Sequence, residues 1–331
     1  MRVLMWHVHG SWATSFVHGP WTTLVPVTPD RGPDGLGRAE TFDWPDRAVE
    51  VPHDALRGER VDVAVLQRPH EIELCERWLG RRPGRDLPAV YVEHDTPGTA
   101  AAAPDVPGRL VPDLTHFLHD RDDIPVVHVA HFNDLFWDCG RAPTTVVEHG
   151  VVDPGYRYSG EMPRAGVIVN DPLTRGRTTG TDLLPGLSDA VPIDLFGMRV
   201  ADAPRALGVR PERLWTFEDL PQERMHAELA RRRVYVHPYR WTSLGLALIE
   251  AMQLGLPVVA LATTEAVEAV PPGTGVLSTR VDVLARAAGR LAANPEQARR
   301  MGRRARAAAV RRYGLPRFLR DWRQLLEEVT R

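Results

Sequence analysis

The chain has 331 residues, of which 43% are hydrophobic and 25% are charged, and its formal net charge at pH 7 is −2. This length and apolar content are sufficient for two globular domains, each with its own core. The two cysteines, Cys75 and Cys139, lack metal-ligand spacing, so neither a structural zinc nor a disulfide framework is expected. Met1 is not followed by a signal stretch and no apolar run reaches transmembrane length, so a reduced, cytoplasmic protein is expected.

Charge is distributed unevenly between the two halves of the sequence. Residues 1–150 carry 14 arginines and 23 acidic residues, a net charge of −9, whereas residues 151–331 carry 27 and 20, a net charge of +7. The basic half would attract a nucleotide diphosphate, and the acidic half would repel nucleic acid and anionic lipid. Every fixed positive charge is an arginine, which favours forked phosphate contacts or reflects the codon bias of a GC-rich genome.

Short apolar runs alternate with helical or irregular segments along the chain, which is the pattern of doubly wound parallel sheets. The first half is predicted to contain strands at 3–8, 23–27, 61–66, 89–92, 126–129 and 145–147, and a helix at 71–79. The second half is predicted to contain strands at 166–169, 193–196, 234–236, 258–261 and 275–277, and helices at 182–187, 222–232, 244–254 and 281–293. An amphipathic helix is predicted at 316–329.

Two domains follow from this order of elements. Residues 150–163 are rich in turn formers and lack periodicity, so residues 151–164 are predicted to be a linker. It would separate a Rossmann-like domain at 1–150 from a second one at 165–314. The alanine run at 100–103 is expected to lie in a loop.

The most informative stretch is 234–261, with the sequence VYVHPYRWTSLGLALIEAMQLGLPVVAL, which reads as strand, loop, helix and strand. Thr242 and Ser243 are candidate N-caps of its helix, and Gly255 is expected to end the helix. Glu250 is the only charged side chain of that helix and lies among apolar residues, where a carboxylate is costly. It either accepts hydrogen bonds from ligand hydroxyls at the carboxyl edge of the sheet or faces solvent.

This stretch resembles the nucleotide-binding signature of retaining GT-B glycosyltransferases of family 4, the glycosyl transferases group 1. There a loop glutamate is followed eight positions later by a helix glutamate, then by Ala-Met and Gly-x-Pro. The matching residues are Glu250, Ala251, Met252, Gly255, Leu256 and Pro257. Asn294, Pro295, Glu296, Met301, Gly302 and Ala305 are similar to the family's C-terminal helices. Thr242 replaces the first glutamate, so the chain resembles an atypical member of this family, and an actinobacterial-type member is suspected.

The resemblance implies two Rossmann-like α/β domains facing each other across a cleft. Residues 1–150 would form the acceptor domain, 165–314 the nucleotide-sugar donor domain, and the helix in 315–331 would pack back on the first. The implied activity is metal-independent transfer of a sugar, with retention, from a UDP- or GDP-linked donor to an acceptor hydroxyl. No cofactor besides this co-substrate is expected, and the acceptor is a small molecule, a glycan or a lipid-linked molecule.

The replaced positions leave other functions open. A catalytically weak or inactive module could bind a nucleotide sugar as a sensor or as a partner protein. A nucleotide-sugar epimerase or a phosphorylase on the same scaffold is a third option. A nucleic-acid partner is not expected.

In the donor domain, the resemblance assigns the ribose of the donor to Glu250. The amides of Thr242, Ser243, Leu244 and Gly245, at the predicted helix start, could hold a phosphate, or this segment is only a capped helix.

The family also has an arginine and a lysine in the segment 170–182, where this chain has Thr174 and Thr179. Arg175 and Arg177 are therefore the candidates to neutralise the diphosphate. The alternative is that both are solvated loop arginines.

In the acceptor domain, Gly10 lies in the turn after the first strand, where the family has a glycine beside the donor phosphates. His94 follows another strand and is the candidate contact to the donor sugar, or is a structural histidine. His128 and His131 would not share one helical face, so no metal site is expected.

Overall fold

The structure is a computed structural model that describes residues 1–39, 42–98 and 114–331. It divides into two compact units, unit 1 with Met1–Val152 and Leu315–Arg331, and unit 2 with Asp153–Gly314. Each unit contains a sheet of parallel strands with helices between them. The alanine run at 100–103 lies outside the described residues. In the described part of the chain, no helix is both long and apolar enough to span a membrane.

The described residues of unit 1 form a seven-stranded sheet in the order β3-β2-β1-β4-β5-β6-β7. The strands are β1 Arg2–Met5, β2 Thr22–Val27, β3 Ala48–Pro52, β4 Val63–Leu66, β5 Ala89–Glu93, β6 Val126–His128 and β7 Thr144–Val146. The helices are α1 Gly10–Val17, α2 Glu71–Leu79 and α3 His131–Phe136. The direction of strand addition reverses between β1 and β4, so the crevice for a ligand is expected at the carboxyl ends of these two strands.

Unit 2 forms a six-stranded sheet in the order β10-β9-β8-β11-β12-β13. The strands are β8 Met162–Ile168, β9 Ile193–Gly197, β10 Leu214–Glu218, β11 Arg232–His237, β12 Val258–Leu261 and β13 Gly275–Ser278. The helices are α4 Pro172–Thr179, α5 Leu184–Ala190, α6 Ala203–Ala206, α7 Gln222–Arg231, α8 Leu246–Leu254, α9 Ala266–Ala269, α10 Val281–Ala293 and α11 Pro295–Tyr313. Here the reversal lies between β8 and β11.

Helix α12, Leu315–Val329, belongs to unit 1 although it follows unit 2 in the sequence. Its apolar face buries Phe318 and Trp322 completely. The ring centroid of Trp322 lies 5.6 Å from that of Trp12 and 5.1 Å from that of Phe16, both in α1. These aromatic contacts attach α12 to the helix that follows β1.

The structure confirms all eleven predicted strands and, residue for residue, the helices α2 and α10. Strands β3 and β10 were not predicted. The predicted helix at 182–187 is wrong in detail, because Thr181–Leu183 form a 3₁₀ turn and α5 begins at Leu184.

The segment predicted as a linker is partly ordered structure of unit 2. Strand β8 already begins at Met162. Before it, the backbone N–H groups of Arg157 and Tyr158 both donate to the carbonyl of Leu254, 3.1 Å away in each case. Residues 157–162 are therefore packed against α8 and the sheet of unit 2.

Candidate functional site

In unit 2, Glu250 lies in the middle of α8 and only 4% of its surface is exposed. Both carboxylate oxygens contact α7: Gln222 Nε2 donates to Oε1 over 3.2 Å, and His226 Nε2 lies 3.2 Å from Oε2. A buried carboxylate is costly unless it is hydrogen-bonded, and these two groups compensate the cost. The alternative of a solvent-facing glutamate is therefore wrong.

The loop before α8 differs from the sequence prediction. Helix α8 begins at Leu246 with Gly245 as its N-cap residue, and no side chain of the described residues caps it. Thr242 and Ser243 are therefore not N-caps, and the prediction that they are is wrong. Gly245 lies against a buried ring, and a Cβ there would be 2.9 Å from His237 Cε1, so this position favours a residue without a side chain. The amides that begin α8 belong to Leu246 and Ala247, not to Thr242, Ser243 or Leu244.

Arg175 and Arg177 lie in the short helix α4, not in a loop, and both side chains are exposed. The helix is kinked at Gly176, which has φ 37° and ψ −110°. Arg177 Nη1 is 3.2 Å from Asp182 Oδ2, and Arg175 Cζ is 6.0 Å from the ring centroid of Tyr239. Both guanidinium groups are thus available on the surface at the carboxyl edge of β8.

Thr179, at the position of the family's lysine, is buried and turned inward. Its Oγ1 donates to the carbonyl of Gly176 over 3.2 Å and lies 2.9 Å from Thr181 Oγ1. It cannot supply the charge of an ammonium group. Thr174, at the arginine position, is exposed.

Arg240 is a further arginine of this edge, and the sequence analysis missed it. Its Nη2 is 2.9 Å from Asp182 Oδ2, and its Nη1 donates to the carbonyl of Arg177 over 2.8 Å. The hydrogen bond from Arg240 is the largest influence on Asp182 and lowers the pKa of that carboxyl. In the sequence, Arg240 could have been recognised as a candidate because it follows the buried run of β11 and precedes Thr242 by two residues.

Backbone contacts also tie the loop after β11 to α4. The N–H of Arg240 donates to the carbonyl of Thr178 over 2.9 Å. Gly180, which ends α4 with φ 72°, approaches Pro238 so closely that a Cβ would lie 1.9 Å from the Pro238 carbonyl oxygen. The structure therefore gathers Arg175, Arg177 and Arg240 at one edge of the unit 2 sheet.

In unit 1, Gly10 is the first residue of α1 and follows β1, one of the two strands at the reversal. A Cβ on Gly10 would be 2.9 Å from Phe42 Cε2, so the site has no room for a larger residue without movement of that ring. Helix N-termini present unpaired N–H groups that favour anions.

His94 follows β5 at the same edge. Its Nε2 lies 3.1 Å from Gln67 Oε1, and Gln67 Nε2 donates to the carbonyl of Trp6 over 2.8 Å. Burial holds the pKa of His94 well below its usual value, and nearby His9 and His149 lower it further. The imidazole is therefore neutral at pH 7, and its Nε2 carries the hydrogen that is donated to Gln67 Oε1.

His9 and His149 extend this group into a cluster of three imidazoles that the sequence analysis did not recognise. The ring centroids of His9 and His94 are 4.0 Å apart. Burial lowers the pKa of His9, and it lowers that of His149 to about 3. Each of the three histidines follows a strand: His9 follows β1, His94 follows β5 and His149 follows β7. This position after a strand could have indicated in the sequence that they lie at the same sheet edge. Within residues 1–39, 42–98 and 114–331, no group of three or more His, Cys, Asp or Glu is arranged to hold a metal ion.

Residues 205–308 match a family model described as Glycosyl transferases group 1. This part of the chain lies in unit 2 and contains α7, α8 and Glu250. No match is found among curated proteins.

Solved structures match over nearly the whole chain. Sucrose-phosphate synthase from Thermosynechococcus elongatus is 15% identical with a TM-score of 0.72, covering 99% of each chain. Anabaena HepE in complex with UDP is also 15% identical, with a TM-score of 0.70, covering 99% of this chain and 100% of that one. A glycosyltransferase from Rickettsia africae is 13% identical with a TM-score of 0.68, covering 99% and 98%. These similarities show the GT-B fold of two Rossmann-like α/β domains.

Proposed function

We propose that this protein is a retaining, metal-independent glycosyltransferase that moves a sugar from a nucleotide diphosphate to an acceptor hydroxyl in the cytoplasm. The observation that carries the proposal is Glu250, a carboxylate buried between α7 and α8 in the region that matches the glycosyltransferase model. Gln222 and His226 each contact one oxygen of this carboxylate, and the acceptor positions that remain on both oxygens could bind ligand hydroxyls.

In this function Glu250 accepts hydrogen bonds from the ribose of the donor. Arg175 and Arg177 neutralise the diphosphate as negative charge develops on the leaving group, which in this chain requires no metal ion. Arg240 connects α4 to the loop after β11. It therefore fixes the position of the backbone that carries Arg175 and Arg177. The amides at the start of α8 offer further donors to a phosphate.

Unit 1 supplies contacts to the transferred sugar and to the acceptor. Gly10 at the start of α1 leaves backbone N–H groups for an anionic part of the donor, and His94 contacts the donor sugar. His94 is neutral, so it acts as a hydrogen-bonding group and not as a charge. The departing phosphate takes the proton of the acceptor, as in the family that the sequence resembles.

HepE was solved with UDP, with UDP and glucose, and with UDP-glucose. UDP-sugars are therefore the first donors to test, followed by GDP-sugars. The purified protein is incubated with each donor, and free nucleotide and free or transferred sugar are measured. Release of nucleotide that depends on Arg175 and Arg177 supports the proposal. The matched control is Arg303→Ala, an exposed arginine of α11.

The inward-turned Thr179 favours a second candidate, a module that binds a nucleotide sugar without turnover and acts as a sensor. Loss of one charged contact to a phosphate commonly costs about hundred-fold in rate or affinity. Tight binding of a nucleotide sugar without release of nucleotide identifies the sensor.

The variant Glu250→Gln tests whether the protein has the nucleotide site that both the glycosyltransferase and the sensor require. The change should lower the affinity for the nucleotide by about 10- to 100-fold, because it removes a charged acceptor from the ribose. Glu223→Gln, on the exposed face of α7, should leave the affinity unchanged. Normal binding by Glu250→Gln would remove the ribose assignment.

A further inference from the structure

On the premise that unit 2 binds a nucleotide, as proposed above, we infer that His226 and Gln222 are positioning residues for Glu250. They aim its carboxylate at the two adjacent hydroxyls of a ribose and so make the site selective for ribonucleotides over 2′-deoxyribonucleotides.

The first reason is the division of hydrogen bonds between the carboxylate oxygens. Gln222 contacts Oε1 and His226 contacts Oε2, each over 3.2 Å. A carboxylate has about four acceptor positions, two on each oxygen. Each oxygen of Glu250 thus keeps capacity for one further hydrogen bond, which matches a vicinal diol with one hydroxyl for each oxygen.

The second reason is the placement of the two donors on α7. Gln222 is the first residue of α7 and His226 lies four residues later, so both side chains project from one face of the helix. His226 is buried, whereas Gln222 is half-buried at the end of α7 that follows β10. His226 therefore holds the carboxylate from the buried side, and Gln222 holds it at the half-buried end of α7, which is the side nearer to solvent.

The third reason is the hydrogen that the contact requires. A carboxylate only accepts hydrogen bonds, so Nε2 of His226 must carry the hydrogen in this contact. A leucine at position 226 fills a similar volume without a donor, whereas a glutamine can place an amide N–H near the position of Nε2.

The experiment measures the dissociation constants of UDP and 2′-deoxy-UDP by calorimetry for the wild type and for His226→Leu, His226→Gln and Gln222→Leu. If the wild type binds GDP more tightly, GDP and 2′-deoxy-GDP replace this pair. The wild type should prefer the ribonucleotide by about tenfold, the value of one well-formed hydrogen bond to a charged group. His226→Leu should lose most of this preference through weaker binding of UDP, with 2′-deoxy-UDP changed less than about threefold. His226→Gln should restore the preference.

A merely structural contact between His226 and Glu250 gives a different result. The leucine variant would then bind both nucleotides more weakly by the same factor, or would melt at a lower temperature with its preference intact, and either result overturns the inference. Gln222→Leu, at a half-exposed site, tests the same ratio if His226→Leu fails to fold. Met225→Leu, on α7 between the two, is the matched control and should keep both affinities.

The two proposals fail in distinguishable ways. A wild-type protein that binds neither UDP nor GDP contradicts the proposed function. A wild-type protein that binds a ribonucleotide and its 2′-deoxy form equally well keeps the proposed function and contradicts only the role of His226 and Gln222.

Discussion

At the scale of single residues, Gly180 makes the closest backbone approach of the candidate site. It has φ 72°, and a Cβ would lie 1.9 Å from the carbonyl oxygen of Pro238. We expect Gly180→Ala to lower the free energy of unfolding by about 2–4 kcal/mol, because it adds a backbone clash to an unfavourable left-handed conformation. Urea denaturation measures the loss, and nucleotide affinity should fall with it, since the loop after β11 must move.

Gly186 provides the matched control for this change. It lies within α5, and no described atom would be within 4 Å of an added Cβ. Gly186→Ala should therefore be neutral or stabilise the protein by up to about 1 kcal/mol, the difference in helix propensity. Equal stability of the two variants would show that the contact between Gly180 and Pro238 is absent in solution.

Single residues of the site could be predicted from the sequence only where one residue breaks a local pattern. Glu250 was such a residue, because it is the only charge in an apolar helix. His9, His149 and Arg240 break no local pattern, and their significance depends on which strands meet at one sheet edge. The N-cap prediction for Thr242 and Ser243 was wrong because α8 begins only at Leu246, after Gly245, which packs against His237.

At the scale of elements, β11 is anchored at its amino end by a buried arginine. Arg232 is 1% exposed, with Nε 2.6 Å from Asp194 Oδ2 and Nη1 2.7 Å from Glu228 Oε2. Its Cζ lies 5.1 Å and 4.7 Å from the ring centroids of Phe196 and Phe217. We expect Arg232→Lys to cost about 2–4 kcal/mol of stability, because an ammonium group can neither fork between two carboxylates nor stack on the rings.

The neighbouring Arg231 tests whether position, and not residue type, causes this loss. Arg231 pairs with Glu161 and Glu228 at the surface, and 46% of its side chain is exposed. Arg231→Lys should change the free energy of unfolding by less than about 0.5 kcal/mol. A similar loss in both variants, measured by denaturation with urea, would contradict the role assigned to the buried pair.

The strands that the sequence predicted are mostly those with helices on both faces, because such strands are continuous apolar runs. The two that it missed, β3 and β10, lie at sheet edges. In β3 buried and exposed residues mix and Pro52 ends the strand, and in β10 Trp215 is 55% exposed. In these two strands polar or exposed side chains interrupt the apolar run on which the prediction depended, whereas the edge strands β7 and β13 were predicted.

At the scale of the whole molecule, buried neutral histidines make the fold sensitive to acid. Burial lowers the pKa of His149 and of His237 to about 3, and that of His128 to about 4. In the unfolded chain these groups titrate near pH 6.5, so below that pH the unfolded state binds more protons than the folded state. Each should reduce the free energy of unfolding by about 1.4 kcal/mol per pH unit as the pH falls below 6.5.

Denaturation by urea at several pH values between 7.5 and 5.0 measures this slope. His149→Gln removes one buried histidine, so the free energy of unfolding should depend less steeply on pH. This holds whatever the change in stability at pH 7.5. His70→Gln, at an exposed position, should leave the slope unchanged. Stability that is constant, or that rises toward pH 5.0, would show that these imidazoles accept protons in the folded state.

The return of α12 to unit 1 has a consequence for synthesis on the ribosome. Unit 2 is one continuous segment, whereas the aromatic side chains of Trp12 and Phe16 in unit 1 are covered only when Trp322 has been translated. At typical translation rates of about 5–20 residues per second, the segment of unit 2 takes roughly 10–30 s to make. During that interval the nascent first domain presents an uncovered aromatic surface, so the earliest domain to emerge is the last to be completed.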